Sequence, residues 1–173
     1  LEVLAGIKRA EGEITINSKK FSLNSKNSNP RTRRQLGISH VPEDRQKLGL
    51  VMDFYAWENM ALGYHRKDQY GSNGIFINNS ILKAKTEERI RKFDIRPNKS
   101  TLLAKSFSGG NQQKIVLARE IEQNPNILIV GQPTRGVDIG AIEFIHKRII
   151  QLRDAGKAVI LISVELDEIL TLS

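Results

Sequence analysis

The C-terminal half of the chain alternates between two hydrophobic periods. Residues 127–130 and 158–163 are short, continuous apolar runs of the kind found in strands buried in a parallel sheet. Between and around them lie helical patterns over 108–123, over 139–153 and from about Glu165. The helix over 139–153 has Ile142, Ile145, Ile149 and Leu152 at i, i+3, i+7 and i+10, with Gly156 placed to end the connection that follows. Strands alternating with helices predict parallel β-α-β units and an α/β fold.

The N-terminal half is less regular. Leu1 to Ile7 is apolar-rich and uncapped, which reads as the end of a helix entered partway. Gly12 to Phe21 alternates around Ile14 and Ile16 and meets Asn17-Ser18, a strand and turn signal that predicts a small antiparallel β element. Asn24 to Pro30 reads as a polar loop, Arg31 to Leu36 as a short basic helix, and Gly37 to Val41 as a strand ending at Pro42. The loop that follows, with Glu43, Asp44 and Arg45, is well placed to hold a site. From Asp53 to Lys105 the pattern is helical in pieces, with Trp57, Met60 and Ala61 on one face and Ile90 with Phe93 on another, interrupted by the Gly/Asn-rich Gly71 to Asn79. The expected organisation is an α/β core over 1–46 and 106–173 with a helical subdomain, 47–105, inserted in it.

Composition narrows the function without naming it. With 173 residues, 39% of them hydrophobic, the chain has enough for one packed core. Lys plus Arg number 27 against 19 Asp plus Glu, a formal charge of +8, but the basic residues come in short groups interleaved with acids. That pattern fits a solvated surface better than a nucleic-acid stripe. There is no cysteine, and His40, His65 and His146 lack metal-ligand spacing. The apolar runs are far shorter than the roughly 20 residues that span a bilayer, so any membrane role is expected to run through a partner. A cytoplasmic setting fits this composition.

The candidate chemistry begins at Ser108-Gly109-Gly110, which puts an N-cap hydroxyl and two small residues at the start of a helix. Unpaired N–H groups and the positive dipole end make such a start a phosphate site; alone it is equally an ordinary Ser-capped helix. The continuation Asn111-Gln112-Gln113-Lys114 shifts the balance. Ser108 to Lys114 resembles the signature of ABC ATPases, in the form found in the second ATPase domain of importers for simple sugars and nucleosides. Val41-Pro42-Glu43-Asp44-Arg45 resembles that family's Q-loop region, and Gln132-Pro133-Thr134-Arg135-Gly136-Val137-Asp138 its Walker B strand running into the D-loop. Order and spacing agree over nearly the whole chain.

The resemblance implies a partial RecA-like P-loop NTPase core paired head to tail with a second ATPase domain. Ser108, Gly109, Gly110, Asn111 and Gln112 would cap ATP held by that partner, with Glu43 at the nucleotide site and Asp138 reaching across the interface. ATP and magnesium would belong to the full-length assembly. Transmembrane permease subunits would dock a coupling helix around Asp53 to Met60, where Trp57 reads equally well as core, and a solute-binding protein would act through them. This would place the assembly on the cytoplasmic face of a bacterial membrane, with no nucleic acid involved.

The pattern also breaks. Hydrolysis needs a glycine-rich loop with its Lys, an Asp for magnesium and a group for the attacking water. No Gly-x-x-x-x-Gly-Lys-Ser/Thr occurs in the sequence, as expected of a fragment cut at both ends. Gly131 stands where the magnesium-binding Asp would be, Gln132 where the catalytic Glu would be, and Val164 where a switch His would be. Gln can hold a water but cannot accept its proton, and Val offers neither. No metal ligand set remains, and the chain's own site is expected to be degenerate and inactive alone. The paired loss of both acids resembles nucleoside-type members more than ribose-type ones. A DNA-repair or chromosome-maintenance ABC ATPase would explain the charge but usually carries coiled coils or zinc inserts, which are absent. A purely regulatory domain would have no need of the Ser108 helix start.

Overall fold

In this computed structural model the described residues are 1–16, 18–26, 28–65 and 78–173. The expected turn residue Asn17 and nearly all of the Gly/Asn-rich 71–79 lie outside them. Strands β1 (Glu13–Ile16) and β2 (Lys19–Ser22) pair antiparallel, forming the small element the alternation predicted. Helix α1 (Pro30–Gln35) starts at Asn29, whose side chain accepts from Thr32 N at 3.0 Å, with proline at its first turn. Strand β3 (Ile38–Val41) follows, then a π-helical turn, Arg45–Gly49. The helical region holds α2 (Ala56–Ala61) and α3 (Asn79–Lys92). The remaining elements are α4 (Gly109–Ile121), β4 (Ile127–Gly131), α5 (Ile139–Asp154), β5 (Ala158–Ile162) and α6 (Leu166–Leu172).

Strands β3, β4 and β5 form a parallel sheet in that order, with Ile38 opposite Ile127 and Gly131 opposite Ile162. The pleat sorts its side chains. Leu128 and Val130 join the main core with Ile115 and Leu117 of α4 and Ile145 and Ile149 of α5. Ile38 and Ile129 point the other way, onto a second cluster built from Ile16 and the partly buried Leu1, Leu4, Ile14 and Phe21. Ile90, Phe93 and Met60 bring the helical region onto the main core, while Ala61 with Tyr64, Leu82 and the half-buried Trp57 forms a small cluster of its own.

Two expectations are corrected. Leu1 to Ile7 is not the end of a regular helix but a hydrogen-bonded turn, with Ala5 N donating to Leu1 O at 2.9 Å and Ile7 N to Glu2 O at 2.8 Å. Strand β5 is not buried on both faces. It is the last strand of the sheet, and only Val159 and Leu161 pack on the core, while Ile160 and Ile162 are 40% and 41% exposed because the β1–β2 layer covers β3 and β4 and stops short. The ending of α5 is as expected: Gly156 (φ +78°) donates to Arg153 O and Lys157 N to Leu152 O, a Schellman closure.

A buried polar cluster ties the helical region to the sheet. Glu120 on α4 accepts from Arg119 Nε at 2.8 Å and from Tyr64 Oη at 2.5 Å, and Ser39 Oγ lies 3.3 Å from the same hydroxyl. Burial and then the charge of Glu120 push the Tyr64 phenol above its ordinary value. Arg119 Nη1 also donates to Gly49 O at 2.7 Å and to Asn59 O at 3.3 Å, so one guanidinium holds the π-helical turn and α2 to α4. Among the described residues no helix is long and apolar enough to cross a membrane.

Candidate functional site

Helix α4 begins as its sequence dictates. Ser108 is the extended N-cap; its Oγ accepts from Asn111 N at 3.5 Å and from Asn111 Nδ2 at 2.8 Å, and the other end of that amide, Oδ1, accepts from Arg96 N at 2.7 Å. The first intrahelical bond runs from Gln112 N to Ser108 O, leaving the N–H groups of Gly109 and Gly110 ahead of it. Ser108 is exposed, and Gly109 and Asn111 are half-buried.

The two glycines are sites of close approach. A Cβ on Gly109 would stand 2.6 Å from Arg45 Nη2 and 2.8 Å from Gly136 O, and one on Gly110 would stand 2.7 Å from Asp138 Oδ2 and 2.9 Å from Ala141 Cβ. The segment 135–138 therefore lies directly on the start of α4. Asp138 caps α5, its Oδ1 accepting from Ala141 N at 2.9 Å. The resemblance turned Ser108, Gly109 and Gly110 toward a partner's nucleotide and Asp138 across the interface, and in the fold these residues lie side by side.

Gln112 sits differently from what the resemblance implied. It is 4% exposed, its Nε2 donates to Phe107 O at 2.9 Å, and its Oε1 accepts from Gln46 Nε2 at 3.0 Å. Both ends of its amide are thus used inside the chain, beneath the helix start. Asn111 likewise has both amide ends in internal bonds.

Glu43 belongs to another corner. A Cβ on Gly131 would lie 2.6 Å from Glu43 Cγ, 3.3 Å from Glu43 N and 2.5 Å from Leu1 Cδ1. The space beside Gly131 is thus filled by neighbours. Beyond it Gln132 adopts φ +47°, unusual for a residue with a side chain, donates its N–H to Ile162 O at 2.8 Å, and accepts at Oε1 from Val164 N at 3.5 Å. Gln132, Arg135, Ile142 and Val164 line a cleft of about 640 Å³, so positions 132 and 164 share one cavity. Their chemistry is that of an amide and a methyl-bearing side chain. With no carboxylate at 131 or 132 these residues do not fit a magnesium ion, and among the described residues no cluster of His, Cys, Asp or Glu could hold a metal.

Arg45, which the sequence put in the loop after β3 without a role of its own, joins distant parts of the chain. Its Nη1 donates to Arg135 O at 2.7 Å and its Nη2 to Gly136 O at 3.2 Å, across 90 positions of chain, and burial lowers the guanidinium's pKa. Asp44 shapes the turn by accepting from Gln46 N and Lys47 N, and those bonds, the one from Lys47 first, hold its carboxyl below the usual range. No local pattern marks a side chain that bonds two distant carbonyls.

Over 174 residues the chain is 44% identical to the guanosine import ATP-binding protein NupO of Bacillus subtilis, covering 100% of this chain and 33% of that protein. It is 45% identical over 170 residues to the nucleoside import ATP-binding protein NupA of Lactococcus lactis, covering 96% of this chain and 33% of that one. The ribose import ATP-binding protein RbsA of Clostridium tetani is 34% identical over 166 residues, covering 96% and 32%. The chain thus spans about a third of the length of these relatives. A dimeric structure of a bacterial ABC transporter cassette shares the fold, with a TM-score of 0.75 at 22% identity over 98% of this chain and 70% of that one. A family model described as ABC transporter matches residues 1–135, and the chain belongs to that family.

Proposed function

We propose that this chain is the signature-bearing part of the ATP-binding subunit of an importer for simple sugars or nucleosides. Its α4 start caps ATP held by a partner ATPase domain, and its own site does no hydrolysis. The observation that carries the first half is the helix start itself, with Ser108 exposed, Gly109 half-buried, Gly110 buried, and the N–H groups of both glycines ahead of the first helical bond. Those groups and the helix dipole favour an anion such as a terminal phosphate. Asn111 holds Ser108 in place from behind, Gln112 anchors the start from below, and Asp138 closes over Gly110.

The second half rests on Gly131, Gln132 and Val164, none of which carries a carboxylate to accept a proton from water. ATP and magnesium act in the full-length assembly, where the other domain supplies the phosphate loop. The exposed Phe54 and Tyr55 beside the half-buried Trp57 suit docking of a permease segment on the helical region, 47–105, at a cytoplasmic membrane surface. The identities of 44% and 45% to proteins named for guanosine and nucleoside import, against 34% for one named for ribose, favour a nucleoside as cargo.

Ser108→Arg in the full-length subunit tests the capping role, because a guanidinium there fills the phosphate's place. ATP turnover and transport are expected to be abolished while the variant still assembles with its partners. Unchanged turnover would remove the role assigned to α4.

A further inference from the structure

We infer, resting on the capping role proposed above, that Arg45 is a positioning residue which locks the start of α4 and the segment leading to Asp138 into one unit. Its own contacts and those of the turn it opens point to it. Its two Nη groups donate to the successive carbonyls of Arg135 and Gly136. The same Nη2 lies 2.6 Å from where a Cβ on Gly109 would be, and Gly136 O 2.8 Å from that point, so guanidinium, carbonyl and helix start are packed in one place. The neighbouring Gln46 donates to Gln112, which in turn donates to Phe107 O just before the helix. At the far end of the same turn, Gly49 O accepts from Arg119 at the end of α4.

The π-helical turn therefore grips α4 at both ends and, through Arg45 alone, reaches the 135–138 segment as well. Two carbonyls of adjacent residues need a planar fork with two donors, which a guanidinium supplies and an ammonium does not. Without the fork, Gly136 O and Asp138 are free to shift against Gly109 and Gly110, and the N–H groups offered to a phosphate lose their fixed aim. Because the turn begins two residues after Glu43, movement of that loop is passed through Arg45 to the 135–136 segment and the helix start together. Gly109 is small for an internal reason too, since the guanidinium already occupies the space.

The test uses the full-length subunit assembled with its membrane partner, comparing Arg45→Met, Arg45→Lys and Arg45→Ala by ATP turnover. For Arg45→Met kcat is expected to fall about tenfold or more, the scale of losing a charge-assisted pair of hydrogen bonds, with KM for ATP within about threefold because another domain holds the nucleotide. Arg45→Lys should recover only part of kcat, and added ethylguanidinium should raise the rate of Arg45→Ala where ethylammonium does not. A kcat within about twofold of wild type in Arg45→Met, or rescue by both amines alike, overturns the inference. Should Arg45→Met fail to fold, Arg45→Lys decides, and wild-type kcat there also overturns it. Ser108→Arg run in parallel separates the two ideas: full activity in that variant removes the capping role itself, whereas its loss beside normal Arg45 variants removes only the role of Arg45.

Discussion

At the scale of single residues, Gly131 stands where any side chain meets close neighbours. Restoring an aspartate there would push a Cβ against Glu43 Cγ and Leu1 Cδ1, at 2.6 and 2.5 Å. Gly131→Asp is therefore expected to destabilise the chain by about 1–3 kcal/mol, the usual cost of overpacking, measured by urea unfolding. A variant as stable as the parent would show that the corner has room for the lost acid. His40 gives a second residue-level expectation. Burial lowers its pKa from 6.5 to about 4, against a partial pull upward from Glu120. The unfolded chain then takes up a proton near pH 6.5 that the folded chain refuses until about pH 4, so stability falls as pH drops through that window. The contribution is up to about 3 kcal/mol at about 1.4 kcal/mol per unit. His40→Gln should flatten the fall between those pH values; an unchanged slope would show that His40 is not its source.

Legibility at this scale followed locality. Ser108, Gly109, Gly110 and Asp138 could be read because capping and helix starts are local chemistry. Gln132 and Val164 could be placed beside strand ends because the apolar runs before them are easy to find. Arg45 could not, since its partners are backbone carbonyls 90 positions away. Nor could the inward turn of Gln112, which depends on a donor from Gln46.

At the scale of elements, α4 is the piece on which the others hang. Its Arg119 and Glu120 form a buried pair with side chains 4% and 1% exposed. Removing one member strands the other and also frees Gly49 O and Asn59 O. Arg119→Met is expected to cost about 3–5 kcal/mol, the range for breaking a buried pair, seen as a lower urea midpoint. A loss below about 1 kcal/mol would mean the pair behaves like one on the surface. The helices and strands of the second half were legible because their apolar periods are long and their caps ordinary. The exposed face of β5 was not, because Ala158 to Ile162 reads the same whether one face is covered or two. The opening turn at Leu1 to Ile7 misled for a similar reason, its apolar content serving the cluster with Ile38 and Ile129 rather than a helix.

At the scale of the whole molecule, the start of α4 and the corner at 131, 132 and 164, positions that carry no carboxylate, adjoin through Arg135 and Gly136. The proposal is that the chain caps a neighbouring site and does no hydrolysis at its own. Vanadate-trapped photocleavage of the full-length subunit tests this most directly, because vanadate takes the place of the terminal phosphate and light cuts the backbone it touches. Cleavage within this chain is expected at Ser108, and only when the other ATPase domain retains its phosphate-binding lysine. Cleavage at Gln132, or none at Ser108 while trapping still occurs, would contradict the account.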